Sequence, residues 1–178
     1  MDELRHQWVR VLSAVAEAAL LAVGALSSYL LVAHVLSHVY FISRSDDLLG
    51  AMWAVISTIF VNRTTYSDSV AAAVSRIAAT GTSFVVCFVY LLFLPFHAWA
   101  LAVLIGVSAL GPTLYGRPQD AITTAITTTV VLVVAHVNPK DAWSQPILRL
   151  ADTAIGVAMG LITAWLDQRL IRPRLPTP

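Results

Sequence analysis

The chain has 178 residues, 58% of them hydrophobic and 12% charged, with a net charge of +1. An average soluble domain is about 25% charged, and here the apolar residues come in long runs, the pattern of an integral membrane protein. These figures leave room for one compact bundle and no second domain, and the small net charge gives no reason for a nucleic-acid partner. Cys87 is the single cysteine, which excludes an intrachain disulfide. No removable signal peptide is expected, because the first apolar run is longer than a signal core and contains Glu17.

Taken in order, residues 1–10 read as a cytoplasmic interfacial lead-in helix with Asp2, Glu3, Arg5, His6, Trp8 and Arg10. Residues 11–167 form a six-span membrane domain, and 168–178 a proline- and arginine-rich cytoplasmic tail, irregular from Arg169 onward. The first span covers Val11 to Leu36. Ala14, Ala18 and Ala22 recur every fourth residue, with Gly24 beyond, a stripe that lets another helix approach. Ser43 to Asp47 is a polar turn. The second span, Leu48 to Val61, is short: a full crossing takes about 20 residues, so it crosses only where the bilayer is locally thin or the helix is broken. A hinge from Asn62 to Ser69 follows, in which Ser67 or Ser69 could cap the next helix. The third span runs from Val70 to Leu94 and stops at Pro95. The fourth, Ala98 to Leu110, closes at Gly111-Pro112. The fifth is Ala121 to Val137, and Asn138-Pro139-Lys140-Asp141 turns into the sixth, Ile147 to Leu166.

Six spans put both termini on one side. The terminal segments and the loops after spans two and four carry Arg5, Arg10, Arg63, Arg76, Arg117, Arg169, Arg172 and Arg174; the opposite side has Arg44, Lys140 and Arg149. The positive-inside rule then predicts cytoplasmic termini. Sliding the first half by 73 positions lays Arg76 on Arg149, Ala78 on Ala151 and Thr80 on Thr153 without gaps. Three spans per half is an odd number, so the halves would be inverted repeats, a transporter architecture.

Three stretches carry a resemblance: Trp53-Ala54-Val55, the run Arg76-Ile77-Ala78-Ala79-Thr80-Gly81-Thr82-Ser83, and Arg149-Leu150-Ala151-Asp152-Thr153-Ala154-Ile155-Gly156. Together they resemble the membrane domain of the fusaric acid resistance-like, or aromatic acid exporter, family, related more distantly to aluminium-activated malate channels. The third stretch matches the family pattern in full. In the second, Ala79 and Ser83 stand where the pattern has glycine. The resemblance spans about residues 14 to 167. It implies a minimal single-unit member, working as a homodimer, whose substrates are aromatic carboxylates.

Arg76, just inside an apolar span, offers a fixed charge that a carboxylate can pair with bidentately, beside helix-start N–H groups that also favour anions. Its structural alternatives are pairing with Glu17 or Asp68, or snorkelling to phosphates. Arg63 either helps anions enter or fixes topology. Thr80 and Trp53 join Arg76 and Arg63 as candidate substrate contacts, although Trp53, like Trp99, Trp143 and Trp165, also suits an interfacial belt. Thr124 and Thr127 share a face with Asp120, which reads either as the lining of a path or as hydroxyls bonded to the preceding turn. Arg149 and Asp152, three apart, can neutralise each other. Asp152 and Glu17 are the proton-coupling candidates. His34 and His38 have metal-ligand spacing but no third ligand, so no metal or cofactor is expected, and Gly156 with Gly160 reads as a helix contact.

The sequence therefore predicts an all-α integral membrane protein of a bacterium-like inner membrane that exports small organic anions, and not an enzyme. A passive anion channel, or a non-transporting subunit that scaffolds a partner, are the alternatives.

Overall fold

The computed structural model describes residues 2–36, 44–137 and 139–171. Among these the chain is all helical, with six α-helices and no strand. They are α1 (Asp2–Leu31), α2 (Arg44–Val61), α3 (Tyr66–Phe93), α4 (Ala98–Leu114), α5 (Ala121–Val137) and α6 (Gln145–Leu170). A π-helical turn, Val32–Leu36, ends α1, and short 3-10 turns at Pro118–Asp120 and Pro139–Ser144 precede α5 and α6. Helices α1, α3, α5 and α6 are long and apolar enough to cross a membrane, and the apolar stretches Leu48–Val61 and Ala98–Leu114 are shorter.

Burial is inverted relative to a water-soluble protein. Phe93 and Leu114 are 80% and 84% exposed, while Ser57, Thr58, Ser83, Thr124, Thr127 and Thr128 are fully buried. Hydrocarbon solvates apolar side chains and leaves polar ones to find partners inside.

The helix ends depart from expectation in several places. The lead-in and first span form one unbroken helix from Asp2. The polar turn expected to Asp47 is helical from Arg44, so α2 has 18 residues, although only its Leu48–Val61 part is apolar. Ser45-Asp46-Asp47 has the composition of a first helical turn. Thr65, not Ser67 or Ser69, caps α3: its Oγ1 accepts from the Asp68 N–H at 3.1 Å and donates to the Asp68 carboxylate at 2.6 Å. This is the N-cap half of a capping box, with the Asp68 carboxylate returning to the Thr65 hydroxyl. Ser69 Oγ accepts from the Arg63 N–H at 3.0 Å and ties the hinge to α3. Helix α4 runs past Gly111-Pro112 to Leu114. A proline in a last turn removes only one intrahelical bond there. Helix α6 continues through Arg169 to Leu170, where an irregular tail was expected.

The chain divides into two compact units, Met1–Ala73 with Ile155–Pro178, and Val74–Ala154, the divisions falling within α3 and α6. In the first unit, α2 and α6 meet through glycine. A Cβ on Gly156 would collide with the Ala54 carbonyl and Ser57, and one on Gly160 would lie 2.8 Å from Val61 Cβ. The Thr58 hydroxyl, shared between the Ala54 and Gly156 carbonyls at 3.0 Å each, seals the contact. Contacts that advance together, 54 with 156 and 58 with 160, make α2 and α6 parallel. Gly24 of α1 faces Thr163 of α6. The stripe Ala14, Ala18 and Ala22 is exposed, and α1 is instead buried along Gly24, Ser28 and Val32. Val32 packs with Ala51 and Ala54. Trp53 is buried, unlike Trp99, Trp143 and Trp165, and so is not a belt residue.

In the second unit α3 is joined by side-chain hydrogen bonds to α5 and to the 3-10 turn that leads into it. Ser75 donates to Asp120, and Thr128 to Ser83 at 3.1 Å. Both pairs are separated by 45 residues, so these helices run parallel and in register. Helix α4 packs back on α5, with Leu101 and Leu104 against the cluster of Cys87, Leu91, Val131, Leu132 and Ala135. The tight turn between α3 and α4 is held by the Tyr90 hydroxyl, which donates to the Pro95 carbonyl at 2.9 Å. Gly116, at φ 82°, supplies the left-handed residue that closes α4.

Candidate functional site

Helix α3 carries a polar face through an apolar span. Arg76, Thr80, Ser83 and Cys87 recur at helical spacing and all are buried. The Arg76 guanidinium belongs to a residue only 3% exposed. One turn on, the Thr80 hydroxyl is buried with no hydrogen-bond partner among the described residues. Ser83 follows, accepting from Thr128.

The in-register pairing sets Thr80 at the level of Ala125, between Thr124 and Thr127 of α5. Thr124 Oγ1 donates to the Asp120 carbonyl at 2.8 Å, and Thr127 Oγ1 to the Thr123 carbonyl at 2.9 Å. Each hydroxyl hydrogen is thus used within α5, which leaves oxygen lone pairs, and not donors, toward the interior. Asp120 is buried at the start of this face. It accepts from Ser75 and lies 3.8 Å from the half-exposed Arg117.

At the start of α6, Arg149 Nη2 lies 3.3 Å from Asp152 Oδ2, both residues being 2% exposed. The pair offsets its own charge. Thr153, beside it, is buried as well.

The other predicted residues stand in the first unit. Glu17 of α1 and Arg63 of the hinge line a cavity of about 440 Å³ together with Asn62 and Asp167. Glu17 thus shares its surroundings with Arg63, and the Asp68 carboxylate is held by Thr65. Arg63 is exposed, whereas Asp167 is 6% exposed. Sequence reasoning overlooked Asp167. The signal was its spacing, since it continues the face of Gly156, Gly160 and Thr163 that α6 turns inward. Ser75 was overlooked too, and nothing in its local sequence marks it. His34 is described, and His38 lies outside the described residues. Among the described residues no group of three His, Cys, Asp or Glu could hold a metal ion.

An apolar exterior, a buried polar face and helices long enough to span define an α-helical multi-pass membrane protein. The chain belongs to the fusaric acid resistance protein-like family, whose model matches residues 28–163. Members of that family are membrane transporters, not enzymes. Searches of curated proteins and of solved structures return no match.

Proposed function

We propose that the chain exports small organic anions, aromatic carboxylates foremost, across a cell inner membrane. In this reading it spans the bilayer six times, with both termini in the cytoplasm, as two inverted three-helix repeats, and works as a homodimer. The observation that carries the reading is Arg76, a buried guanidinium in a helix apolar enough to cross a membrane. A charge at such a site is costly, and in membrane proteins it marks an ion or substrate pathway. The guanidinium fork matches a carboxylate, and the Thr80 hydroxyl one turn away can donate to the same ligand. The parallel runs of α2 with α6 and of α3 with α5 are those that alternate crossing requires.

The anion path centres on Arg76 and Thr80, with Thr124 and Thr127 as flanking surface. Arg63 shares a cavity with two carboxylates that offset its charge, and serves entry and topology. Glu17 is the coupling carboxylate. Asp152 is already neutralised by Arg149, and that pairing favours a passive channel as the second reading.

Flux of benzoate and aliphatic carboxylates into proteoliposomes, at two pH values, tests this. Arg76→Ala is expected to lose about tenfold or more of the flux, the worth of one charge-assisted contact, and Arg76→Lys to keep part of it. Unchanged flux in Arg76→Ala removes the proposal. Flux that ignores pH and persists without a proton gradient selects the channel. No flux of any carboxylate, in folded and oriented protein, selects the partner-subunit reading.

A further inference from the structure

Two arginines of the second unit each stand three residues before an aspartate, and the two pairs differ. Arg149 and Asp152 are both 2% exposed and lie 3.3 Å apart, a closed pair. Arg117 Nη1 stands 3.8 Å from Asp120 Oδ2, beyond hydrogen-bond reach, with 40% of the arginine side chain exposed and Asp120 buried. Asp120 Oδ2 has no hydrogen-bond partner, and among the described residues the Arg117 guanidinium makes no other hydrogen bond or ion pair. The backbone fixes the pair and leaves the guanidinium loose. The Arg117 N–H donates to the Pro112 carbonyl at 2.8 Å, and the Asp120 N–H to the Arg117 carbonyl at 3.0 Å. Asp120 Oδ1 accepts from Ser75, which anchors the carboxylate to α3. Ser75 directly precedes Arg76, so the pair stands at the Arg76 end of the buried polar face, with Ser83 and Thr128 farther along.

A guanidinium carries five N–H donors in a fork, more than one carboxylate oxygen can take. At its exposed edge, Arg117 can bind a carboxylate from solution bidentately. A side-chain shift of about 1 Å would instead close the charge-assisted bond to Asp120 Oδ2. An incoming anion and Asp120 therefore compete for one cation. Asp120 also repels the anion, so the hold is weak. Passage along a path requires such a site, favourable enough to be occupied and weak enough to be left. Topology alone would be served by any exposed cation and needs no buried partner.

We propose that Arg117 and Asp120 form the intake of the anion path: Arg117 takes the substrate carboxylate first, and Asp120 limits its hold, so that the carboxylate passes on to Arg76 and Thr80. Arg117 is thus a further substrate contact and Asp120 a positioning residue. The inference rests on the organic-anion reading and on its topology, in which this turn opens to the cytoplasm.

Initial rates of benzoate flux in proteoliposomes test it, over a range of benzoate concentrations presented at the cytoplasmic face. Arg117→Gln is expected to raise the half-saturating concentration about threefold to fivefold, the worth of one exposed charge pair, with the maximal rate nearly unchanged. Arg117→Lys, which keeps the charge and loses the fork, should raise it less. Asp120→Asn should shift it the other way, and should lower the maximal rate because the anion leaves Arg117 more slowly. Added salt should raise the half-saturating concentration of the wild type more than that of Arg117→Gln. Arg117→Gln and the salt series carry the test if Asp120→Asn fails to fold. Wild-type flux with a half-saturating concentration unmoved in Arg117→Gln overturns the intake and leaves the anion path standing. So does a shift in the same direction in Arg117→Gln and Asp120→Asn, the mark of a pair that only ties the turn to α3. No benzoate flux in the wild type removes the anion path and the intake together.

Discussion

In the unit formed by residues 1–73 and 155–178, helices approach through glycine, with Gly156 and Gly160 laid against the backbone of α2 and Gly24 against Thr163. In residues 74–154 they are held by side-chain pairs, Ser75 with Asp120 and Ser83 with Thr128. Both answer the same difficulty. In hydrocarbon there is no hydrophobic force between helices, so association comes from close packing or from interhelical hydrogen bonds. The contrast separates two kinds of sensitivity. A glycine contact should fail when volume is added, whatever its polarity. A hydroxyl contact should tolerate volume and respond to loss of its partner. Charge is placed differently as well: Arg76, Asp120, Arg149 and Asp152 are buried in the hydroxyl-rich unit, while Glu17, Arg63 and Asp167 of the glycine-packed unit line a cavity.

The largest expected effect comes from breaking the glycine contact. Gly156→Leu must push apart α2 and α6, because its Cβ already overlaps the Ala54 carbonyl. Overpacking of this kind costs about 1–3 kcal/mol even where side chains can yield, and backbone cannot. Little monodisperse protein should survive size-exclusion chromatography, whereas Gly156→Ala should lose less. A normal elution profile for Gly156→Leu would mean that α2 and α6 do not touch there.

Next is the buried pair. Asp152→Leu alone leaves the Arg149 charge without its counterpart, a loss of about 3–5 kcal/mol. Replacing both, Arg149→Met with Asp152→Leu, should restore much of the thermal stability. A double variant no better than the single one would show that Arg149 has a further obligatory role. The smallest effect is Thr128→Val, which keeps the shape and removes the donor to Ser83; about 0.6 kcal/mol is the usual worth of such a bond in a membrane. Measured by thermal unfolding in detergent, a loss as large as that of Asp152→Leu would break the comparison.

Several features were legible in the chain because they depend on near neighbours or on the solvent. Long apolar runs need hydrocarbon, so the number and order of the helices followed from composition. Pro95 marks the end of α3 because it cannot continue a helix, and Arg149 with Asp152 pairs because three residues of helix bring them together. The Gly156–Gly160 contact was visible as a spacing. Even the Thr65–Asp68 cap was written in the sequence as a threonine three residues before an acid, though Ser67 and Ser69 drew attention away from it.

What the tertiary structure alone decided was which face each helix turns inward and which distant residues share a space. Trp53 has the composition of a belt residue, yet packing buries it. Ala14, Ala18 and Ala22 form a regular stripe, yet α1 is buried along Gly24, Ser28 and Val32, because only that line meets its neighbours. Glu17, Arg63 and Asp167 lie far apart in the chain and gather at one cavity. The physical reason is one of range. Transfer to hydrocarbon and helical hydrogen bonding act on a segment by itself, so they can be read along the chain. Rotation about a helix axis is set by the surface of another helix, and a single sequence does not contain that pairing until it has folded.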